Sequence, residues 1–252
     1  MGLFSKKNCS VCGGEIGLLG NRKLEDGNLC KNCAAKLSPW FTERRKSTVE
    51  DIKAQLEYRE ANKEAVKNFK TTRSIGDYTK VLFDEDAKKF MVSRGRKLED
   101  ENPDVLDYSM ITDVKLDIEE DKDEAQTQDK DGKSVSYNPP RYKYGYDFKI
   151  KIQLNHPYFD DIEFQLNSSR VETTDTAVPA MRKPDPRTNV DYCEYEKMGN
   201  EIVSMLSAGR QQIRDAAAAA AAPKVRRVCP GCGATTVGDA NNCCEYCGTP
   251  LN

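Results

Sequence analysis

An α+β multidomain architecture is predicted by three features: paired cysteines at both ends, strand-like alternation through the middle, and helical periodicity on either side of that middle. The 252 residues exceed the roughly 100–200 typical of one domain, so several units are expected. The pattern divides them into an N-terminal four-cysteine domain (1–47), a linking helix (48–76), an antiparallel-sheet domain with an extended C-terminal helix (77–222) and a second cysteine module (223–252).

Hydrophobic residues make up 38% of the chain and charged residues 32%, which suits modest cores and long solvated stretches. No apolar run is long enough for a signal peptide before Cys9, and Lys6 stands where an N-terminal acylation motif wants Ser or Thr. A cytoplasmic location is expected. Cytosolic thiols stay reduced, so ten cysteines, most of them clustered, point to metal rather than to disulfides. The net charge of -2 conceals a polarity. Residues 1–47 hold 9 basic and 4 acidic side chains, net +5, whereas residues 77–200 hold 19 and 28, net -9. An acidic central domain is a poor partner for phosphate backbones.

In the first domain Cys9, Cys12, Cys30 and Cys33 form two C-x2-C pairs, a set that suits one tetrahedral zinc with four thiolates. Gly13-Gly14 lets the first pair turn tightly enough to aim amides at sulfur, as in a zinc knuckle. The second pair runs into Ala34-Ala35-Lys36-Leu37, so its ligands are expected at a helix N-terminus. Between them Asp26-Gly27 supplies turn chemistry for a short hairpin over residues 16–28. Knuckle, hairpin and helix together resemble a treble clef. Lys6, Lys7, Lys31 and Lys36 are placed to offset the double negative charge of a zinc tetrathiolate. Trp40, the only tryptophan, is expected to cap this small core or dock it on its neighbour.

Ser47 and Glu50 read as a capping box for a helix over 48–70, whose charged faces mark it as a solvated spacer. Alternation then predicts strands at 78–83, 89–92, 105–108, 111–118, 142–154 and 162–166. They form a bent antiparallel sheet, because no strand-helix-strand repeat occurs. Two stretches, 119–140 and 168–186, exceed ordinary loop length and read as functional or mobile insertions. A last helix begins near Val190, carries Tyr195, Met198, Ile202, Leu206 and Ile213 on one stripe, and runs through seven alanines until Pro223 stops it. Sheet followed by helix resembles a pleckstrin-homology-like (PH-like) domain over 77–212, which implies binding of lipids, peptides or proteins. The acidic charge favours protein over lipid headgroups.

At the C-terminus Cys229, Cys232, Cys244 and Cys247 form two C-x2-C-G knuckles, the pattern of a zinc ribbon. Cys243 is a rival to Cys244, but only Cys244 keeps the two-residue spacing and the trailing glycine. Lys224, Arg226 and Arg227 lie beside the ribbon without aromatic side chains to stack bases.

No catalytic set emerges. His156 is the only histidine and falls in a turn, Cys193 reads as a small buried hydrophobe, and neither a phosphate-binding loop nor a dinucleotide fingerprint is present. The expectation is a non-enzymatic adaptor that carries two zinc ions and binds other proteins. Nucleic-acid binding through the basic zinc module and ribbon is the alternative. Residues 12–21, Cys-Gly-Gly-Glu-Ile-Gly-Leu-Leu-Gly-Asn, followed by Leu-Ser-Pro-Trp-Phe at 37–41, resemble an uncharacterised bacterial family with a four-cysteine N-terminal domain of unknown function. The resemblance covers roughly the first 65 residues. It implies zinc, a bacterial cytoplasm, and a PH-like domain and ribbon downstream, but no substrate.

Overall fold

A computed structural model describes residues 7–95, 97–174, 183–221, 226–239 and 242–251. Lys6, Pro223, Lys224 and part of the second expected insertion lie outside them. The chain divides into two compact units, Met1–Arg210 and Gln211–Asn252.

The first unit opens with two short hairpins rather than one. Strand β1 (Lys7–Asn8) pairs with β2 (Glu15–Ile16), and β3 (Arg22–Lys23) pairs with β4 (Asn28–Leu29). Helix α1 (Lys31–Ala34) follows directly. Ile16, Leu24, Leu29, Leu37 and Ile52 close a small core here, with Val11, Phe41, Val49 and Leu56 packed around it.

Helix α2 (Val49–Asn68) is capped one residue later than the sequence suggests. Thr48 accepts from the Asp51 amide and Asp51 accepts from the Thr48 amide. Thr48 is itself a good N-cap, and Asp51 at the third helical position completes the reciprocal pair. The Asp26 carboxylate also accepts from the Val49 amide at 2.8 Å, which ties the β3–β4 turn to the helix start.

Expected as a solvated spacer, α2 instead buries the stripe Ile52, Gln55, Arg59, Asn62 and Val66. Three of these five are polar, so an apolar period could not reveal the buried face. Arg59 Nη1 meets Asp104 Oδ1 at 2.6 Å, Ser38 Oγ donates to Asp104 Oδ2 at 2.8 Å, and Arg59 Nη2 donates to the Asn102 carbonyl at 2.5 Å. Asn62 donates to the Pro103 carbonyl and accepts from the Val105 amide. A buried charge is tolerated only when paired and hydrogen-bonded in this way. The helix is therefore the joint between the cysteine module and the body.

The body contains two four-stranded antiparallel sheets. The first runs β5 (Arg73–Ile75), β6 (Lys80–Asp84), β7 (Lys89–Ser93) and β8 (Leu106–Asp107) in sequence order, with α3 (Leu98–Glu101) between the last two. The second is built on a long hairpin of β9 (Ile111–Gln128) and β10 (Ser134–Leu154). Strands β11 (Asp161–Gln165) and β12 (Val171–Thr174) pair with the other edge of β10.

The expected insertion at 119–140 is thus largely paired strand, with an irregularity between Ser136 and Arg141 around the two prolines. Acidity disguised it, because the acidic side chains of β9 answer cations nearby. Glu119 meets Lys149 at 2.7 Å, Asp117 meets Lys151 at 2.8 Å, and Asp121 meets Arg170 at 2.6 Å. Cross-strand charge pairs and the backbone ladder replace the apolar alternation that signals an ordinary strand.

Helix α4 (Val190–Ala221) buries Tyr192, Ile202 and Leu206. Gly199 and Gly209 bring its backbone against the body, since a Cβ on Gly199 would lie 2.6 Å from Leu116 and one on Gly209 would overlap the Tyr108 ring. Tyr192 packs edge-on to Tyr146 and Phe148 at centroid distances of 5.0 and 5.1 Å.

The second unit contains the last turns of α4 and one hairpin, β13 (Arg227–Val228) with β14 (Thr235–Thr236). Its buried apolar cluster is Cys229, Cys244 and Leu251.

Candidate metal centres

Three of the four C-x2-C segments adopt one backbone design. In the first, the Cys9 amide donates to the Gly14 carbonyl and the Gly13 amide donates to the Cys9 carbonyl, both at 2.8 Å. Cys229 with Gly233 and Ala234, and Cys244 with Gly248 and Thr249, repeat the pattern at 2.8–2.9 Å. Gly13, Gly233 and Gly248 all sit at φ of 72–73°, in the left-handed region where a side chain is strained. This explains the glycine after each second cysteine. The first cysteine of each knuckle is buried and the second exposed.

The fourth segment differs. Cys30 caps α1 and its Sγ accepts from the Cys33 amide at 3.4 Å, while the Cys30 amide donates to Cys9 Sγ at 3.4 Å. Here the second cysteine, Cys33, is the buried one.

Cys9, Cys12, Cys30 and Cys33 bring their sulfurs within 4.8 Å of one another, and so do Cys229, Cys232, Cys244 and Cys247. Individual Sγ–Sγ separations are 3.8 Å for Cys12–Cys30, 3.5 Å for Cys229–Cys247 and 3.7 Å for Cys232–Cys244. Disulfide sulfurs lie about 2.05 Å apart, so these are not bonded pairs. Zn–S bonds of about 2.3 Å place the corners of a tetrahedron roughly 3.8 Å apart, which the observed separations approach. Each group can therefore hold a metal ion, and the donor set is consistent with zinc. Four thiolates fill a tetrahedral shell and leave no position for substrate.

Local donors favour thiolate at Cys9 and Cys247. Burial alone would raise Cys9, but the amides of Cys12, Cys30 and Val11 outweigh it and bring the thiol down to about 6. The hydroxyl and amide of Thr249 bring Cys247 to about 6 as well. Burial pushes Cys33 upward, and the neighbouring sulfurs add to the effect. Of the lysines expected to offset the charge, Lys36 lines a surface hollow with Cys12 and Cys33, and Lys31 lines one with Cys30.

Cys243 stands outside the second group. Its amide donates to Asp239 Oδ1 at 2.8 Å and it bridges Pro250, so only its backbone is engaged in that bridge. Cys193 departs from expectation: it is exposed on the first turn of α4, with Sγ donating to the Arg187 carbonyl at 3.1 Å. His156 occupies a turn between β10 and β11, stacked on Phe159 at 4.1 Å and edge-on to Tyr58 at 5.2 Å. Burial lowers its pKa, against a smaller upward pull from Asp104. Trp40 is half-buried, with the Arg94 guanidinium 6.0 Å from its ring. The Ser38–Asp104–Arg59 network went unread in the sequence, although Arg59 and Asn62 at helical spacing from Ile52 were its one available signal.

Residues 7–55 match the family described as Domain of unknown function (DUF4428), so the first cysteine group lies wholly within that domain. No curated protein and no solved structure matches the chain. Among the described residues, no helix is long and apolar enough to cross a membrane.

Proposed function

We propose that the chain is a non-enzymatic adaptor of the bacterial cytoplasm. It carries two zinc ions, one on Cys9, Cys12, Cys30 and Cys33 and one on Cys229, Cys232, Cys244 and Cys247, and it docks other proteins. The observation that carries the docking role is the exposure of large apolar side chains beside the cysteine groups. Leu18 and Leu19, between β2 and β3, are 77% and 82% exposed, and Val228 and Tyr246 in the second unit are 67% and 73% exposed. Apolar groups presented on a metal-stiffened loop lose little entropy on binding, which suits them as contacts. Two antiparallel sheets followed by α4 support a PH-like reading of the body, and its acidic charge favours protein partners over anionic lipid.

Elemental analysis is expected to find two zinc atoms per chain, and one when Cys9 and Cys12 are both replaced by Ser. For docking, proteins cross-linked to the intact chain in its host should be lost with Leu18→Ser/Leu19→Ser or with Tyr246→Ser. A partner set unchanged by both variants refutes the adaptor surface.

A further inference from the structure

The β3–β4 hairpin and the 3-10 turn at Glu43–Lys46 enclose a hollow of about 700 Å³, lined by Asn21, Arg22, Lys23, Glu25, Arg44 and Arg45 above Leu24. Four of these side chains are cationic and one is anionic. Among the described residues none of the four cations forms an ion pair, whereas Lys46 next door pairs with Glu43 at 2.6 Å. Arg44 is held in place by its Nη1 donating to the Lys23 carbonyl at 2.9 Å. Burial lowers the Arg44 pKa, and the like charges of Arg22 and Arg45 lower it further. Gathering four cations around one carboxylate leaves an excess of like charge, and that costs free energy that a bound anion would recover.

Guanidinium forks match phosphate oxygens in paired hydrogen bonds. No aromatic ring lines the hollow, so nothing there can stack a base. The space is concave rather than an extended stripe, which suits a compact ligand over a long backbone. We propose that this hollow, formed by Arg22, Lys23, Arg44 and Arg45, binds the phosphate chain of a small polyphosphate. This site is independent of the docking surface and of the metal centres.

The test is calorimetric titration of the full zinc-loaded chain with inorganic tripolyphosphate, with ATP and with a single-stranded oligonucleotide, zinc content being checked afterwards. Saturable binding of tripolyphosphate is expected, with ATP no tighter because its base finds no ring. Arg22→Gln/Arg45→Gln should weaken binding by about tenfold or more, while leaving the Arg44 hydrogen bond intact. Lys46→Gln, outside the hollow, should leave it unchanged. Should the double variant lose zinc or fold, Arg45→Gln alone, at an exposed position, carries the same prediction at a smaller size. Absence of saturable binding, an affinity indifferent to these arginines, or tighter binding of the oligonucleotide than of tripolyphosphate overturns the proposal.

Discussion

The two cysteine groups share ligand chemistry and differ in what surrounds it. The first is embedded in an apolar cluster of Ile16, Leu24, Leu29, Leu37 and Ile52 and is fastened to the body through Arg59 and Asp104. The second has Leu251 as the one buried apolar residue besides its own cysteines, among the described residues. So small a core cannot offset the entropy of ordering its chain. A metal ion held by these groups would therefore complete a fold in the first case and constitute it in the second, because binding free energy becomes folding free energy where no other source exists.

The largest expected effect follows from that contrast. Structural zinc contributes apparent binding free energies of about 10–16 kcal/mol. Stripping both ions with a strong chelator should abolish amide-exchange protection throughout residues 227–251, while Leu24, Leu29 and Ile52 retain part of theirs. Protection surviving at Cys229 and Cys244 without metal would break the comparison.

A smaller effect tests the fastening of the first module. Asp104→Ala leaves the Arg59 guanidinium buried and unpaired, which should cost about 3–5 kcal/mol in urea unfolding of the first unit. Arg59→Met/Asp104→Leu should recover most of that loss, since an apolar pair removes both charges together. Equal loss in the single and double variants would show that the network acts through shape alone.

Smaller again is a pH effect confined to the first unit, where the only histidine resides. The pKa of His156 is lowered in the fold, so the unfolded chain binds more protons around and below the ordinary histidine value. Stability of the first unit should fall as pH drops through about 6.5, by less than roughly 1.4 kcal/mol per pH unit. His156→Phe should flatten that slope. A slope unaltered by the substitution would assign it to carboxylates instead.

The smallest expected effect is Cys243→Ser. Cys243 lies outside the group formed by Cys229, Cys232, Cys244 and Cys247, so zinc content should stay at two. Loss of one zinc would transfer the ligand role from Cys244.

The two four-sulfur groups were legible because the chemistry is local. A C-x2-C-G segment dictates its own turn, and Gly13, Gly233 and Gly248 adopt the left-handed φ that the pattern requires. The strands of the hydrophobic body and the stripe of α4 were legible for the same reason, each carrying its period within a few residues. What failed was the assumption that polar means solvated. Residues 119–128 became strand because cations from β10 and beyond lie opposite, and α2 buried Arg59 and Asn62 because residues 102–105 offer carbonyls, an amide and a carboxylate to them.

By itself the sequence determined the eight clustered cysteines, their two groups and the kind of ion they suit, since spacing and turn-forming glycines act within one short stretch. Only the tertiary structure decided that α2 is a joint, that the acidic run is a strand, and that Arg22, Arg44 and Arg45 face one hollow. Those outcomes depend on partners distant in the chain, and burial of a polar group is favourable only once such partners are in place.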